Sequence, residues 1–318
     1  MDKIEFYKER NFGDKFNVTF AFVKQNWKVM LRYITYFCLP LALLTGLPLI
    51  SFVDGVGNLH NWETGESDMQ YSFLASYGVL IVLCGLASWA MSTVAFSLIQ
   101  AYNNRAEGLE NITAAVLKPY FKRNAWRLFK LWAAACLLAI GFVLVTVAVA
   151  VVHPWLCFLM VVALFVVCVP LLHVTPVYIY EEIGVWKAFS RGFRLGWHTW
   201  GGTFALGLVL ALLTSVAQGV ISLPWQVCYI LKLIFGMEHS ESLAFTNSAA
   251  FIVVSYVSSV LSLFAQFVTS TLFFVGISYL YSHAAEQLDG MSVAEGIELF
   301  DQLADKNEDA DNIDFDKL

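Results

Sequence analysis

Lys187, Arg191, Arg194 and His198 follow one another at intervals of four, three and four positions. Wound at 3.6 residues per turn, they form one narrow basic stripe. Val185, Phe189, Phe193, Gly196 and Trp200 fall on the opposite side, flanked by Trp186 and Trp197. This is the pattern of a helix lying in a membrane surface, its apolar face at the acyl boundary and its cations among the headgroups. Each basic residue near an anionic surface contributes about 1 kcal/mol of attraction. Two more segments repeat the arrangement, one with Lys24, Lys28 and Arg32, the other with Lys118 and Lys122. The expected headgroup contacts are therefore Lys24, Lys28, Arg32, Lys118, Lys122, Lys187, Arg191 and Arg194. Gly192 and Gly196, on or near the apolar side, are expected to admit a neighbouring helix.

Other residues carry weaker chemical signals. His173 stands between Pro170 and Pro176 in an apolar run, where a kink frees backbone carbonyls. With Gln218 and Gln266, inside later apolar runs, it is the candidate for a polar site at membrane depth. The bland reading of His173 is a neutral imidazole bonded to a backbone carbonyl. Gln218 and Gln266 sit beside small-residue ridges (Gly207, Ala211, Ser215, Gly219; Ser258, Ser262, Gln266, Ser270), which suit helix packing. Catalytic residues, metal ligands and cofactors are not expected. There is no His/Cys cluster and no Gly-rich phosphate loop, and in the acidic tail Ala310 stands where a calcium loop needs Gly. Glu181 and Glu182 are the acid or base candidates should an enzyme be sought. The six cysteines show no Cys-x-x-Cys spacing and read as small hydrophobes.

The elements that must position these residues follow from composition. The 318 residues are 58% hydrophobic and only 14% charged, with mean hydropathy +0.66. Soluble domains carry about 25% charged residues, so the chain is built for lipid. Six apolar spans are predicted at Tyr33–Phe52, Phe73–Ala101, Leu131–Val152, Trp155–Ile179, 203–223 and Ala249–Tyr281, each long enough to cross a bilayer. Eighteen of the nineteen Lys and Arg fall on one side of this topology, and Lys232 is the exception. By the positive-inside rule that side, with both termini, is cytoplasmic. The first 32 residues are polar and charged, so no cleavable signal is expected. The net charge of −6 comes from an acidic C-terminal segment, and nucleic acid is not an expected partner.

Four strings look alike: Asn17-Val-Thr-Phe-Ala21, Asn111-Ile-Thr-Ala-Ala115, Gly184-Val-Trp-Lys-Ala188 and Gly290-Met-Ser-Val-Ala294. They read as helix-start signals, with Thr19, Thr113 and Ser292 as caps. The expected fold class is thus an all-α polytopic membrane protein. Its six transmembrane helices form three parallel hairpin repeats, each preceded by an in-plane amphipathic helix on the cytoplasmic side. Residues 1–304 form a single integral membrane domain, with repeats at about 14–104, 108–181 and 182–285 and a closing helix at 291–304. An acidic tail occupies 305–318.

The run Ala188-Phe-Ser-Arg-Gly-Phe-Arg-Leu195, preceded by Glu181-Glu182 and followed by a Trp and an apolar span, resembles the membrane domain associated with glycerophosphoryl diester phosphodiesterases. The family pattern has Ser where Gly192 stands. Phe12-Gly-Asp-Lys-Phe16 with Phe20-Ala-Phe-Val-Lys-Gln-Asn26 is similar to uncharacterised six-span inner-membrane proteins of Bacteroidetes-like bacteria. The resemblance implies a bacterial inner-membrane location. It does not imply phosphodiesterase activity, which belongs to a separate soluble domain. The expected function is non-enzymatic: organising or binding membrane lipids, or other membrane proteins, through the basic helices. The alternative is a transporter or exporter of an apolar or lipid-like substrate, using a polar cavity around His173, Gln218 and Gln266.

Overall fold

The computed structural model describes residues 3–57, 67–236 and 245–291, and the regular structure among them is all helical. In chain order the helices are α1 (Phe12–Gly57), α2 (Ser67–Asn104), α3 (Ala114–Val152), α4 (Pro154–Leu171), α5 (Val174–Tyr180), α6 (Val185–His198), α7 (Trp200–Ile221), α8 (Leu223–Gly236) and α9 (Ala249–Asp289). Six stretches are long and apolar enough to cross a membrane: α1, α2, α3, α4 with α5, α7 and α9. The chain is a polytopic helical membrane protein. The closing helix expected from 291 and the acidic tail lie outside the described residues, apart from Met291.

The in-plane helices expected before the first and third spans are not separate elements. α1 runs unbroken from Phe12 through Lys24, Lys28 and Arg32 into its apolar half, and α3 likewise carries Lys118 and Lys122 on the helix that becomes its span. The reason is local. From Phe20 to Leu39, and from Tyr120 to Ile140, no Gly or Pro interrupts the backbone ladder. Asn17 lies inside α1, and Thr19 donates to the Lys15 carbonyl at 2.8 Å instead of capping. Asn111 does mark a boundary, in the left-handed region at φ 51° just before α3, although Thr113 makes no side-chain cap bond. α6 alone precedes its span as a distinct helix, ending at His198, with Thr199 as the joint before α7 begins.

At 1.5 Å per residue the 46 residues of α1 span about 69 Å, more than twice the ~30 Å of a hydrocarbon core. The surplus stands at one end of the bundle, called here the basic end. Side chains gather there into two clusters. Phe22, Met30, Ile34, Leu98, Tyr102 and Tyr279 bury one seam of α1, α2 and α9. Leu128, Val177, Ile179, Ala188, Leu195 and Ala284 bury another. The N-terminal segment closes this end: Ile4 N–H donates to the Tyr102 hydroxyl at 2.9 Å, and Phe6 packs edge-on to Tyr180. At the other end of the α3–α4 hairpin, Leu144, Val151, Trp155 and Phe158 are exposed on every side, as suits lipid contact.

Glycines set how closely α6 approaches the α4–α5 kink. A Cβ on Gly196 would lie 2.5 Å from Pro170 Cα, and one on Gly192 would lie 2.8 Å from Val174 Cα. Both neighbours are backbone atoms, so neither can yield by rotating. The close approach expected of these two glycines is therefore present. Gly196→Val should destabilise the detergent-solubilised protein by about 1–3 kcal/mol. Gly141→Ala, whose Cβ meets nothing within 4 Å, should not. Thermal unfolding of the two variants beside the parent checks the contrast.

Candidate functional site

The basic residues sort into free and structural groups. Lys24, Lys28 and Arg32 are exposed along α1, Lys118 and Lys122 along α3, and Lys187 and Arg194 on α6. Arg32 and Lys118 border the same cleft although they are far apart in sequence. They line a cleft of about 620 Å³ between α1 and α3, whose walls include Tyr33, Tyr36, Phe37 and Phe121. The two helices meet there through side chains. Phe37 stacks on Phe121 with ring centroids 4.4 Å apart, and the Tyr33 hydroxyl donates to the Ile112 carbonyl at 3.4 Å. The result is an apolar slot with a cation on each side. On the outer face of α3, Lys118, Lys122 and Arg123 border a broader hollow floored by Trp126 and Phe129, which stack on one another.

α6 has three faces, where the sequence pattern showed two. Ala188, Gly192, Leu195 and Gly196 are buried against the bundle. Trp186, Phe193 and Trp197 point outward and are exposed. The basic stripe lies between them. The large apolar residues that seemed destined for one buried face are thus divided, because the close approach to α4 admits only small side chains. Bulky rings are left outside, next to free cations.

Arg191 departs from the headgroup expectation. It forms an ion pair with Glu181, whose side chain is only 8% exposed, and its Nη2 donates to Asp289 Oδ2 at 2.8 Å. Glu181 also accepts from the Tyr281 hydroxyl at 3.0 Å. Burial acts to lower the Arg191 pKa, but the bonds and charges of Glu181 and Asp289 outweigh it and raise it overall. Arg191 therefore ties α6 to the end of α5 and to α9. Arg194 lies 3.8 Å from Asp289 and stays largely exposed. The same pairing occupies Glu181, while Glu182 pairs with Arg123 at 2.7 Å.

The three intramembrane polar residues are not gathered at one place. His173 is fully buried in the kink between α4 and α5, near the basic end. Gln218 reaches across from α7 to the Ser262 carbonyl at 2.9 Å, which is helix-to-helix glue. Gln266 faces outward, exposed. Leu172, next to His173 in sequence, lies beside Gly207 of α7, eleven residues or about 16 Å along that helix from Gln218. No family model, no curated protein and no solved structure matches this chain. Its site is accordingly read from its own geometry.

Several structural residues carried no pattern in the sequence. Arg127 donates to the carbonyls of Tyr178 and Ile183 and lies over the Tyr178 ring at 4.2 Å, so it caps the C-terminal end of α5. Asn124 is fully buried and donates to Ser97 and Gln100 of α2. Both sit in the basic segment of α3, indistinguishable there from surface residues. Among the described residues, no group of three His, Cys, Asp or Glu is placed to hold a metal ion.

Arg191→Met should leave Glu181 a nearly buried, poorly compensated carboxylate and cost about 3 kcal/mol or somewhat less, since Arg191 keeps partial exposure. Lys187→Met, on the same stripe but exposed, should change stability by no more than about 0.5 kcal/mol. Chemical denaturation in one detergent separates the two.

Proposed function

We propose that this chain is a non-enzymatic bacterial inner-membrane protein that holds anionic phospholipid at its basic end. The slot between α1 and α3 is its principal lipid site. The carrying observation is the pairing of an apolar slot with Arg32 and Lys118. On this reading an acyl chain lies against Phe37, Phe121 and Tyr36, and its phosphate meets the two cations that border the slot. Exposed Trp186 and Trp197 beside Lys187 and Arg194 make α6 a second, interfacial contact.

On this reading the basic end is cytoplasmic, since the segments expected on one side of the spans carry eighteen of the nineteen Lys and Arg, and both termini share that side. The chain is then three parallel hairpin repeats, α1–α2, α3–α4 and α7–α9, with α6 as the in-plane helix of the last. The left-handed Asn111 and Gly290, each next to a helix terminus, support equivalent positions in two of the repeated strings. The resemblance of residues 188–195 to the phosphodiesterase-associated membrane domain supports the same setting. The exporter alternative drew on a cavity joining His173, Gln218 and Gln266; with Gln266 outward and the other two far apart, those residues lend it no support.

The double variant Arg32→Glu, Lys118→Glu should lose bound phosphatidylglycerol. In nanodiscs of phosphatidylcholine with a minority of phosphatidylglycerol, native mass spectrometry should show retained anionic lipid falling at least about tenfold, from two reversed charges at about 1 kcal/mol per charge removed. Lys187→Glu alone should have a smaller effect. An unchanged lipid complement in the double variant would sink the reading.

A further inference from the structure

The slot between α1 and α3 and the hollow on the outer face of α3 share a wall. Lys118 and Phe121 line both. α3 is thus a ridge between two apolar grooves, with one ammonium common to them. Both grooves also have the same polarity. α1 and α3 run side by side in the same direction, since Tyr33 meets Ile112 and Phe37 meets Phe121. Each passes into its apolar half as its numbering rises. In the slot, Arg32 precedes Tyr36 and Phe37; in the outer groove, Lys118 and Lys122 precede Trp126 and Phe129. Cations therefore stand toward the basic end of each groove and rings toward the membrane. A phospholipid has the same order, phosphate first and acyl chains after it. Tyr36, Trp126 and Phe129 are exposed, so both grooves open outward.

The cations around the ridge exceed what one phosphate needs. Arg32, Lys118 and Lys122 are all exposed, and among the described residues none of them is in an ion pair. Arg123 also borders the outer groove, but Glu182 holds it at 2.7 Å. Lys118 and Lys122 stand one turn apart, about 6 Å along α3. A lipid with one phosphate and two acyl chains, seated in the slot, engages Arg32 and Lys118. It leaves Lys122 and the rings of the outer groove uncovered. A lipid with two phosphates joined by a short bridge engages all three cations, with Lys118 between its phosphates, and lays acyl chains on both sides of the ridge.

We propose that the lipid held at the basic end is a cardiolipin, two phosphatidyl groups joined through one glycerol, which straddles α3 at Lys118. One half occupies the slot and the other occupies the outer groove. The inference rests on the reading of the slot as a lipid site and adds the class of lipid. Once the first half is seated, the second binds as part of the same molecule. Its effective concentration is then far above that of a free lipid, so the pair is held more tightly than either half alone.

The test uses the full chain in phosphatidylcholine nanodiscs that contain tetraoleoyl cardiolipin and dioleoyl phosphatidylglycerol at equal phosphate. Native mass spectrometry reads the lipid retained. The parent should retain cardiolipin over phosphatidylglycerol by at least about tenfold per phosphate. Lys122→Glu, which alters only the outer groove, should cut that preference at least about fivefold. The same variant should change phosphatidylglycerol retention by no more than about threefold, because Arg32 and Lys118 remain in the slot. Lys24→Glu makes the same change of net charge at an exposed α1 position that borders neither groove, and should keep the preference. If phosphatidylglycerol is retained and cardiolipin is held no better, the proposal is overturned and the slot reading stands. A preference that survives Lys122→Glu, or one that Lys24→Glu removes equally, has the same consequence. If the parent retains neither lipid above the Arg32→Glu, Lys118→Glu double variant, the slot reading fails and this inference fails with it.

Discussion

The hydrophobic effect acts only where water is present, and the structure is organised around that boundary. α1, α2, α3 and α9 are all much longer than a hydrocarbon core. Their surplus collects at one end, and much of the dense apolar packing is there. Phe22, Leu98, Tyr102, Leu128, Tyr279 and Tyr281 are buried as they would be in a soluble helical domain. Towards the lipid, a leucine gains little by leaving acyl chains for another helix, so the α3–α4 hairpin keeps its apolar side chains outward. Cohesion between helices at that depth comes from close fits and polar glue instead. Gly46 sits against Tyr256, Ser259 and Val260, and Gln218 bonds across to Ser262.

Where the two regimes meet, α6 must satisfy both. Its small face lies on the backbone of Pro170 and Val174, its ring face is left exposed, and Arg191 binds its third face to Glu181 and Asp289. The glycines and the ion pairs depend on each other. A larger residue at Gly196 pushes the helix off α4, and that displacement pulls Arg191 away from Glu181. A charge that is ordinary in sequence becomes structural because it is lodged where water is scarce.

The basic residues therefore do three different jobs. Arg191, Arg127 and Arg10 satisfy carboxylates or carbonyls within the protein. Lys24, Lys28, Arg32, Lys118, Lys122, Lys187 and Arg194 remain exposed, and two of them border an apolar slot. Lys15 belongs to neither group, being buried with no partner of opposite charge. Guanidinium takes the fixed structural positions and ammonium dominates the free ones. That division follows from the planar fork of arginine, which holds several acceptors at once.

The all-helical membrane class, the six long apolar helices and the separate helix at 185–198 were legible from sequence. Each depends on consecutive residues or on spacing within one helix, and local composition reports those directly. The closeness of Gly192 and Gly196 to a neighbour was legible for the same reason, since only small residues occur on that face. The continuity of α1 and α3 runs against the expected break between each basic segment and its span, because no Gly or Pro follows Phe20 or Tyr120 until Pro40 and Gly141, well inside the apolar halves. Tertiary structure alone determined that Arg191 is paired while Lys187 is free, that Arg32 and Lys118 border one cleft, and that Gln266 turns outward. These facts depend on which helices touch and at what height, and burial and charge compensation are properties of the assembled bundle.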